Sequence, residues 1–505
     1  MLAASAGRFW ASGLAAVLLL VAPAAVAHGF GQRYDLPVPL TLVVVAAGLA
    51  VAVSFALAAR LRPRPVAYPR FDLLRVGIGR LLVHPAVVSI AQAVSVVLFL
   101  TTIAAGLFGT VVATDNLAPT LIWIVWWVGM ALTVAALGNL WAITNPWLLL
   151  FRAAERLWRR LTRRELSRYA PYPAALSRWP AVFLFLCFAW VELAFPRASG
   201  PRELATLAIL YSAITWAGML RYGAEQWLRR GELFTVAFGY LSRLAVTELE
   251  VSEGARRRGH YRVAPSTWSG QLGGSDLDCW ECFHKAPAAV RHFYLRPPGA
   301  GLLAEVERST AGLIFVLALL ATVSFDGLAE TPVWERWSGW LIELIADDRA
   351  VATIGMLGSV VVLTAAYLLA CMLSARLAGS SALAVARENV LALIPIAAAY
   401  HLAHYQAFLL VQGQRIIALV SDPFGFGWNL FGTAGYTIDI GVLSAELAWA
   451  IAVAAVVIGH VVSIYIAHRT AQREGRRLVS QLPLVAMMIA YTMLSLWILS
   501  QPIVS

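Results

Sequence analysis

Ten times along this chain a run of roughly 18 to 25 mostly apolar residues recurs, the length a helix needs to cross the hydrocarbon of a bilayer. The runs fall near 38–59, 87–110, 117–138, 179–195, 203–225, 309–325, 351–374, 389–413, 443–467 and 481–500. Backbone amides in hydrocarbon have no water to bond, so each run must satisfy its own as a helix. A soluble chain would carry about 25% charged residues; of these 505 only 13% are charged, 60% are hydrophobic, and the mean hydropathy is +0.73. The expected fold is therefore all-α, a polytopic transmembrane helical bundle of about ten spans following a cleaved signal peptide.

The first 27 residues carry the marks of that signal peptide. Arg8 supplies a positive start, residues 13–21 a short apolar core, and Ala25-Val26-Ala27 the small residues a signal peptidase accepts. Cleavage there would leave a mature chain beginning His28-Gly29-Phe30 on the outer face; the competing reading is an uncleaved anchor helix. Alternation from an outside start puts residues 60–80, 152–178, 221–308, 375–388 and 468–478 in the cytoplasm. Those stretches hold 32 of the 39 basic residues, whereas the outer loops and ends hold six. The positive-inside rule requires this bias, so the net charge of +11 encodes orientation and not a nucleic-acid partner. The expected location is a bacterial inner (cytoplasmic) membrane, multi-pass, with the mature N-terminus and C-terminus both outside.

The spans divide five and five: residues 28–227 form one membrane half, 228–308 a cytoplasmic insertion, and 309–505 a second half. Halves of five spans would have opposite orientations, as in inverted-repeat transporters, although no sequence similarity links them. Residues 152–168, RAAERLWRRLTRRELSR, set Leu157, Leu161 and Leu166 among seven arginines, which suits either an interfacial helix against anionic lipid or an orientation signal. The insertion opens with GELFTVAFGYLSRLAV, a semi-apolar piece expected at the interface. GNLWAITNPW, 138–147, ends a helix at Asn-Pro and is a candidate for re-entry into the membrane.

Within the insertion, Cys279 and Cys282 stand at the C-x-x-C spacing that grips zinc, with His284, His260 or His292 as further candidate ligands. A second C-x-x-C is missing, a structural disulfide is disfavoured in a reducing cytoplasm, and an ordinary loop is the plain reading. Four cysteines in all, two of them (Cys187 and Cys371) in apolar runs, make no disulfide framework.

Polar side chains inside the spans carry more information, because hydrocarbon penalises them. The eighth span reads VLALIPIAAAYHLAHYQAFLLVQGQR: His401 and His404 are three apart and share a helical face, with Tyr400, Tyr405 and Gln406 beside them. Such a pair can bind a transition metal or relay protons; otherwise it serves to pack helices together. Glu192 lies one turn from the outer end of the fourth span, and Asp115-Asn116, Asp326, Asp422, Asp439 and Glu446 follow the outer boundary as an acidic rim. His460 is expected to be a packing histidine. An amino-terminal His28 would offer an amine and an imidazole, two nitrogens that chelate a divalent transition metal such as copper or zinc. Residues 421–436, SDPFGFGWNLFGTAGY, combine glycines and aromatics as a folded lid over a pocket would. There is no G-x-G-x-x-G, Walker loop, H-E-x-x-H or G-x-S-x-G.

Four islands, AHGFGQRYDLPVPL after the signal, GNLWAITNPW, SFDGLAETPVW and SDPFGFGWNLFGTAGY, resemble the bacterial membrane proteins known as fenitrothion hydrolases, with a shared topology along most of the chain. The resemblance implies a membrane-bound hydrolase of organophosphorus triesters, in which a metal-activated water attacks phosphorus and a nitrophenol leaves. On the present residues, His401, His404 and His28 would be the metal ligands, and Glu192 or Asp326 a ligand or general base. The substrate would be an apolar small molecule. A non-enzymatic reading stands beside it: a transporter or conduit for a metal ion, proton or small solute, or a membrane complex with a second protein subunit. In both, lipid is the surrounding partner and nucleic acid is excluded.

Overall fold

The structure is a computed structural model, and it describes residues 39–60, 68–166, 169–251, 280–304 and 308–501. The signal-peptide residues and His28 lie outside these, as do Cys279 and His260. Among the described residues ten helices are long and apolar enough to cross a membrane, one for each expected run. They are α1 (Leu40–Ala58), α2 (Pro85–Phe108), α3 (Leu117–Ala136), α6 (Ala174–Leu193), α7 (Pro201–Tyr222), α9 (Thr310–Ala329), α11 (Asp348–Ala378), α12 (Ala382–Leu410), α13 (Ala445–Arg473) and α14 (Leu478–Leu499). Between them lie the shorter α4 (Trp141–Thr144), α5 (Pro146–Thr162), α8 (Leu233–Leu241) and α10 (Pro332–Ile345). The protein is thus a multi-pass all-α bundle.

Local chemistry sets where the helices begin. Ser309 caps Gly312 N–H at the start of α9, Thr331 caps α10 ahead of Pro332, and Asp347 accepts from Arg349 and Ala350 N–H at α11. α9 is the central helix, buried along most of its length, whereas α1 and α2 expose most of theirs to the surroundings. Close approach is allowed where a side chain is missing: a Cβ on Gly459 of α13 would stand 2.4 Å from Ala399 Cβ and 2.8 Å from Pro395 O of α12.

Contacts gather the loops at two ends as alternation requires. At one end Ala170 N–H bonds Arg221 O and Arg178 reaches Ser309; at the other Thr110 N–H bonds Phe424 O and Leu117 N–H bonds Pro423 O. The first end carries most of the arginines and is called the basic end below.

Two features at the basic end differ from the sequence reading. The piece expected at the interface is α8, and it is enclosed in the bundle, with Leu233, Phe234, Ala237 and Phe238 buried. Its apolar side chains point all round, so it has no polar face to leave in water. Phe234 packs on Trp126 at 4.4 Å and stacks on Trp147 at 6.0 Å between ring centroids. Trp147 in turn donates its indole N–H to Ser212 Oγ, 2.8 Å away, near the middle of α7. The Asn-Pro break at Asn145-Pro146 therefore sits inside the bundle, and Asn145 caps α5 through Leu148 N–H. Beyond Phe151, α5 leaves Leu157, Trp158 and Leu161 exposed among arginines.

The second difference is a small antiparallel sheet ordered β1-β3-β2, in which β1 (Phe71–Asp72) from the first basic loop pairs with β3 (Arg291–Leu295), and β3 with β2 (Thr247–Val251). Asp72 lies opposite Tyr294, and Glu248 pairs there too. The insertion is thus tied to the first loop. A buried ion pair, Arg296 to Glu248 at 3.0 Å, and a hydrogen bond between His292 Nδ1 and Asp72 Oδ2 at 2.9 Å fasten it. Cys282 is disulfide-bonded, so it presents no thiolate, contrary to the expectation that a structural disulfide is disfavoured in this segment.

Candidate functional site

Four spans contribute to one polar cluster in the half of the bundle away from the basic end. Glu192 is the second-last residue of α6, and Asp326 stands one turn before the end of α9. His401, His404 and Tyr405 come from α12, whose registry with α9 brings them to the same depth. Asp326 Oδ2 receives the Tyr405 hydroxyl and lies 3.0 Å from His404 Nε2. The same hydroxyl lies 3.5 Å from Glu192 Oε1, and the Trp127 indole also bonds Glu192. Tyr405, Asp326 and His404 are therefore joined by hydrogen bonds across α12 and α9, and Glu192 of α6 lies at the edge of bonding distance from the same hydroxyl.

His401 stands one turn below this network on the same helix, with its ring edge-on to Tyr405 at 4.7 Å and to Trp127 at 6.0 Å. It hydrogen-bonds the backbone at Val128, and its Nε2 is buried without a partner. With Nδ1–H held by a carbonyl, the lone pair sits on Nε2. Residues 120–130 of α3 wind as a π-helix, the wider i→i+5 form that often marks functional positions.

A small cavity of about 30 Å3 opens beside these groups. Glu192, Asp326, His401 and Tyr405 supply its polar wall; Ala131, Leu319, Val323 and Ala397 are among its apolar residues. Its lining also includes Leu241 of α8, so the helix that sequence placed at the interface forms part of its boundary.

The cluster bears on the metal expectation directly. Among the described residues no three His, Cys, Asp or Glu side chains form a group that could hold a metal ion; His28, the third expected ligand, lies outside them.

The remaining rim residues separate from the site. Asn116 is fully buried and ties Ala105 O and Thr110 O, Asp422 accepts from the N–H groups of Phe426, Gly427 and Trp428, and Asp439 caps Gly441. Each stabilises a turn. Residues 421–436 are tightly folded, yet none of them lines the cavity; they close on the α2–α3 turn, where Gly425 lies against Thr110. His460 is packed inside the bundle, bonded through Nδ1 to Val456 O.

Sequence reading reached Glu192, Asp326, His401 and His404, and noted Tyr405 as a neighbour. It missed Trp127 and the bridging role of the Tyr405 hydroxyl, because an aromatic in an apolar run carries no local mark of what it touches.

No family model, no curated protein and no solved structure matches this chain. The activity must be argued from the site.

Proposed function

We propose that the protein is a membrane-embedded hydrolase of uncharged, apolar organophosphorus triesters, with His401 as the general base. The observation that carries this reading is the buried, partnerless His401 Nε2 on the wall of a largely apolar cavity. A buried polar atom without a partner costs about 1–3 kcal/mol, and a water entering with the substrate would relieve it. That water, bonded to Nε2, attacks phosphorus; its proton passes to the imidazole and the nitrophenolate departs with the electron pair of the broken P–O bond. Proton return from His401 gives the dialkyl acid and the free phenol, so atoms and charge balance. The carboxylate of Asp326 shares the cavity wall with the imidazolium formed and favours it electrostatically. Apolar lining suits a triester that partitions into membrane, and the resemblance of the four sequence islands points to the same substrate class. The basic end faces the cytoplasm of a bacterial inner membrane in this proposal, by the positive-inside rule.

Purified protein in detergent, assayed for nitrophenol release from a nitrophenyl dialkyl phosphotriester, tests it. The expected result is turnover that survives a chelator and falls about 10²–10⁴-fold in His401→Ala. Absence of turnover in the wild-type protein, or full activity in His401→Ala, overturns the proposal.

A second reading is favoured by one separate observation: the chain Tyr405–Asp326–His404 joins two spans by exchangeable protons, with Glu192 of a third at the edge of bonding distance, and is complete without substrate. Such a chain would serve a proton-linked conduit. Proteoliposomes given a pH step, with Asp326→Asn as the comparison, distinguish it: proton flux lost in the variant, with no ester cleavage by the wild type, favours the conduit.

A further inference from the structure

At the basic end, between α9, α12 and α13, lies a second cavity, of about 40 Å3, with a different wall. Arg308, Arg387 and Arg473 line it, with Glu388, Ser309 and Thr470. The described acids here are already engaged: Glu388 pairs with Arg476, and Glu474 holds Arg308 at 3.1 Å. Arg387 bonds the Thr310 hydroxyl and Arg473 the Leu303 carbonyl, both neutral acceptors. Among the described residues neither guanidinium has a carboxylate partner, and Arg387 Nε is buried with no partner at all. Orientation of a membrane protein needs basic residues at this end, but it does not need them turned into an enclosed space between helices. The amino terminus of the 20-residue α9, with its positive dipole end, opens on the same cavity.

We propose that this cavity binds a phosphate-bearing anion through Arg387 and Arg473, with Arg308 at its rim. Two guanidinium groups and a helix amino terminus match the shape and charge of a phosphate, which accepts bidentate N–H pairs. The phosphate belongs either to an anionic phospholipid of the leaflet at this end or to a free anion, and basic pockets between helices serve the first in other membrane proteins.

Thermal unfolding in nanodiscs separates the sources. Wild-type protein is compared in phosphatidylcholine alone, with phosphatidylglycerol added, and in phosphatidylcholine with inorganic phosphate titrated into the buffer. The expected result is an upward shift of a few degrees that saturates with one or both anions. A shift with phosphatidylglycerol alone identifies a lipid headgroup, and one with phosphate alone a free anion. Arg387→Gln with Arg473→Gln should lose the shift, while Arg159→Gln with Arg160→Gln, on the exposed face of α5, should keep it. Because the first pair could impair folding, Thr470→Glu provides a second probe: it places a carboxylate in the cavity without removing an arginine, and should abolish the shift by internal neutralisation. No shift with either anion, or a shift unchanged in both the arginine pair and Thr470→Glu, overturns the proposal.

Discussion

Removing the Asp326 carboxylate should destabilise the bundle by an amount that depends on what Tyr405 carries. Asp326 Oδ2 is the acceptor for two groups, His404 Nε2 at 3.0 Å and the Tyr405 hydroxyl, and the side chains of Asp326 and His404 are only 17% and 7% exposed. Asp326→Ala removes this shared acceptor from both groups, leaving the Tyr405 hydroxyl the longer contact to Glu192 at 3.5 Å. At about 1–3 kcal/mol for each buried polar group left unmade, the expected loss is about 2–6 kcal/mol. Tyr405→Phe removes one donor and leaves Asp326 with His404, so about 1–2 kcal/mol is expected. In the double variant the phenyl ring no longer needs an acceptor, so the combined loss should fall short of the sum by about 1–3 kcal/mol. Equilibrium unfolding of the four proteins in mixed micelles, followed by tryptophan fluorescence, closes the cycle. Additivity to within about 0.5 kcal/mol would refute the reasoning, because it would mean the Tyr405 hydroxyl does not depend on Asp326. The cycle concerns stability alone and stands whether the site hydrolyses an ester or passes a proton.

Gly459→Leu should force α12 and α13 apart, since even its Cβ meets Ala399 and the Pro395 carbonyl; a loss of about 1–3 kcal/mol and of the activity carried by α12 is expected, measured by thermal unfolding and ester cleavage. Glu232 caps α8 inside the bundle, accepting from Phe234 N–H, Thr235 N–H and the Tyr211 hydroxyl, so Glu232→Ala should cost at least about 2 kcal/mol in the same unfolding assay, and Glu232→Gln clearly less. At the sheet, burial would raise the Asp72 carboxyl, but hydrogen bonds from His292 and from the Leu74 and Phe293 amides hold it below its ordinary value. Its contribution is therefore complete above the unfolded value of about 4 and lost as pH falls through the lower folded value; limited proteolysis of residues 247–295 should rise over that acid range in the wild type and show no such step in Asp72→Asn.

The number of spans, their limits within a few residues, and the gathering of basic residues at one end were legible in the sequence because each depends on a local property. An apolar run of about 20 residues is a helix in hydrocarbon whatever it packs against. The polar minority was legible for the same reason: Glu192, Asp326, His401 and His404 stand out wherever they point. Which of them meet is a different matter. It depends on the rotation and depth of each helix against its neighbours, and those follow from close contacts such as Gly459 on Ala399, which have no signature within a single run. Tertiary structure alone separated Glu192 and Asp326, which join the histidines, from Asp422 and Asp439, which cap turns. It also moved α8 from the interface to the interior, since an apolar segment too short to span can be judged only by the space its neighbours leave. Strand pairing between residues 71–72 and 291–295 was hidden because the partners lie more than 200 positions apart, in stretches whose composition spoke only of charge.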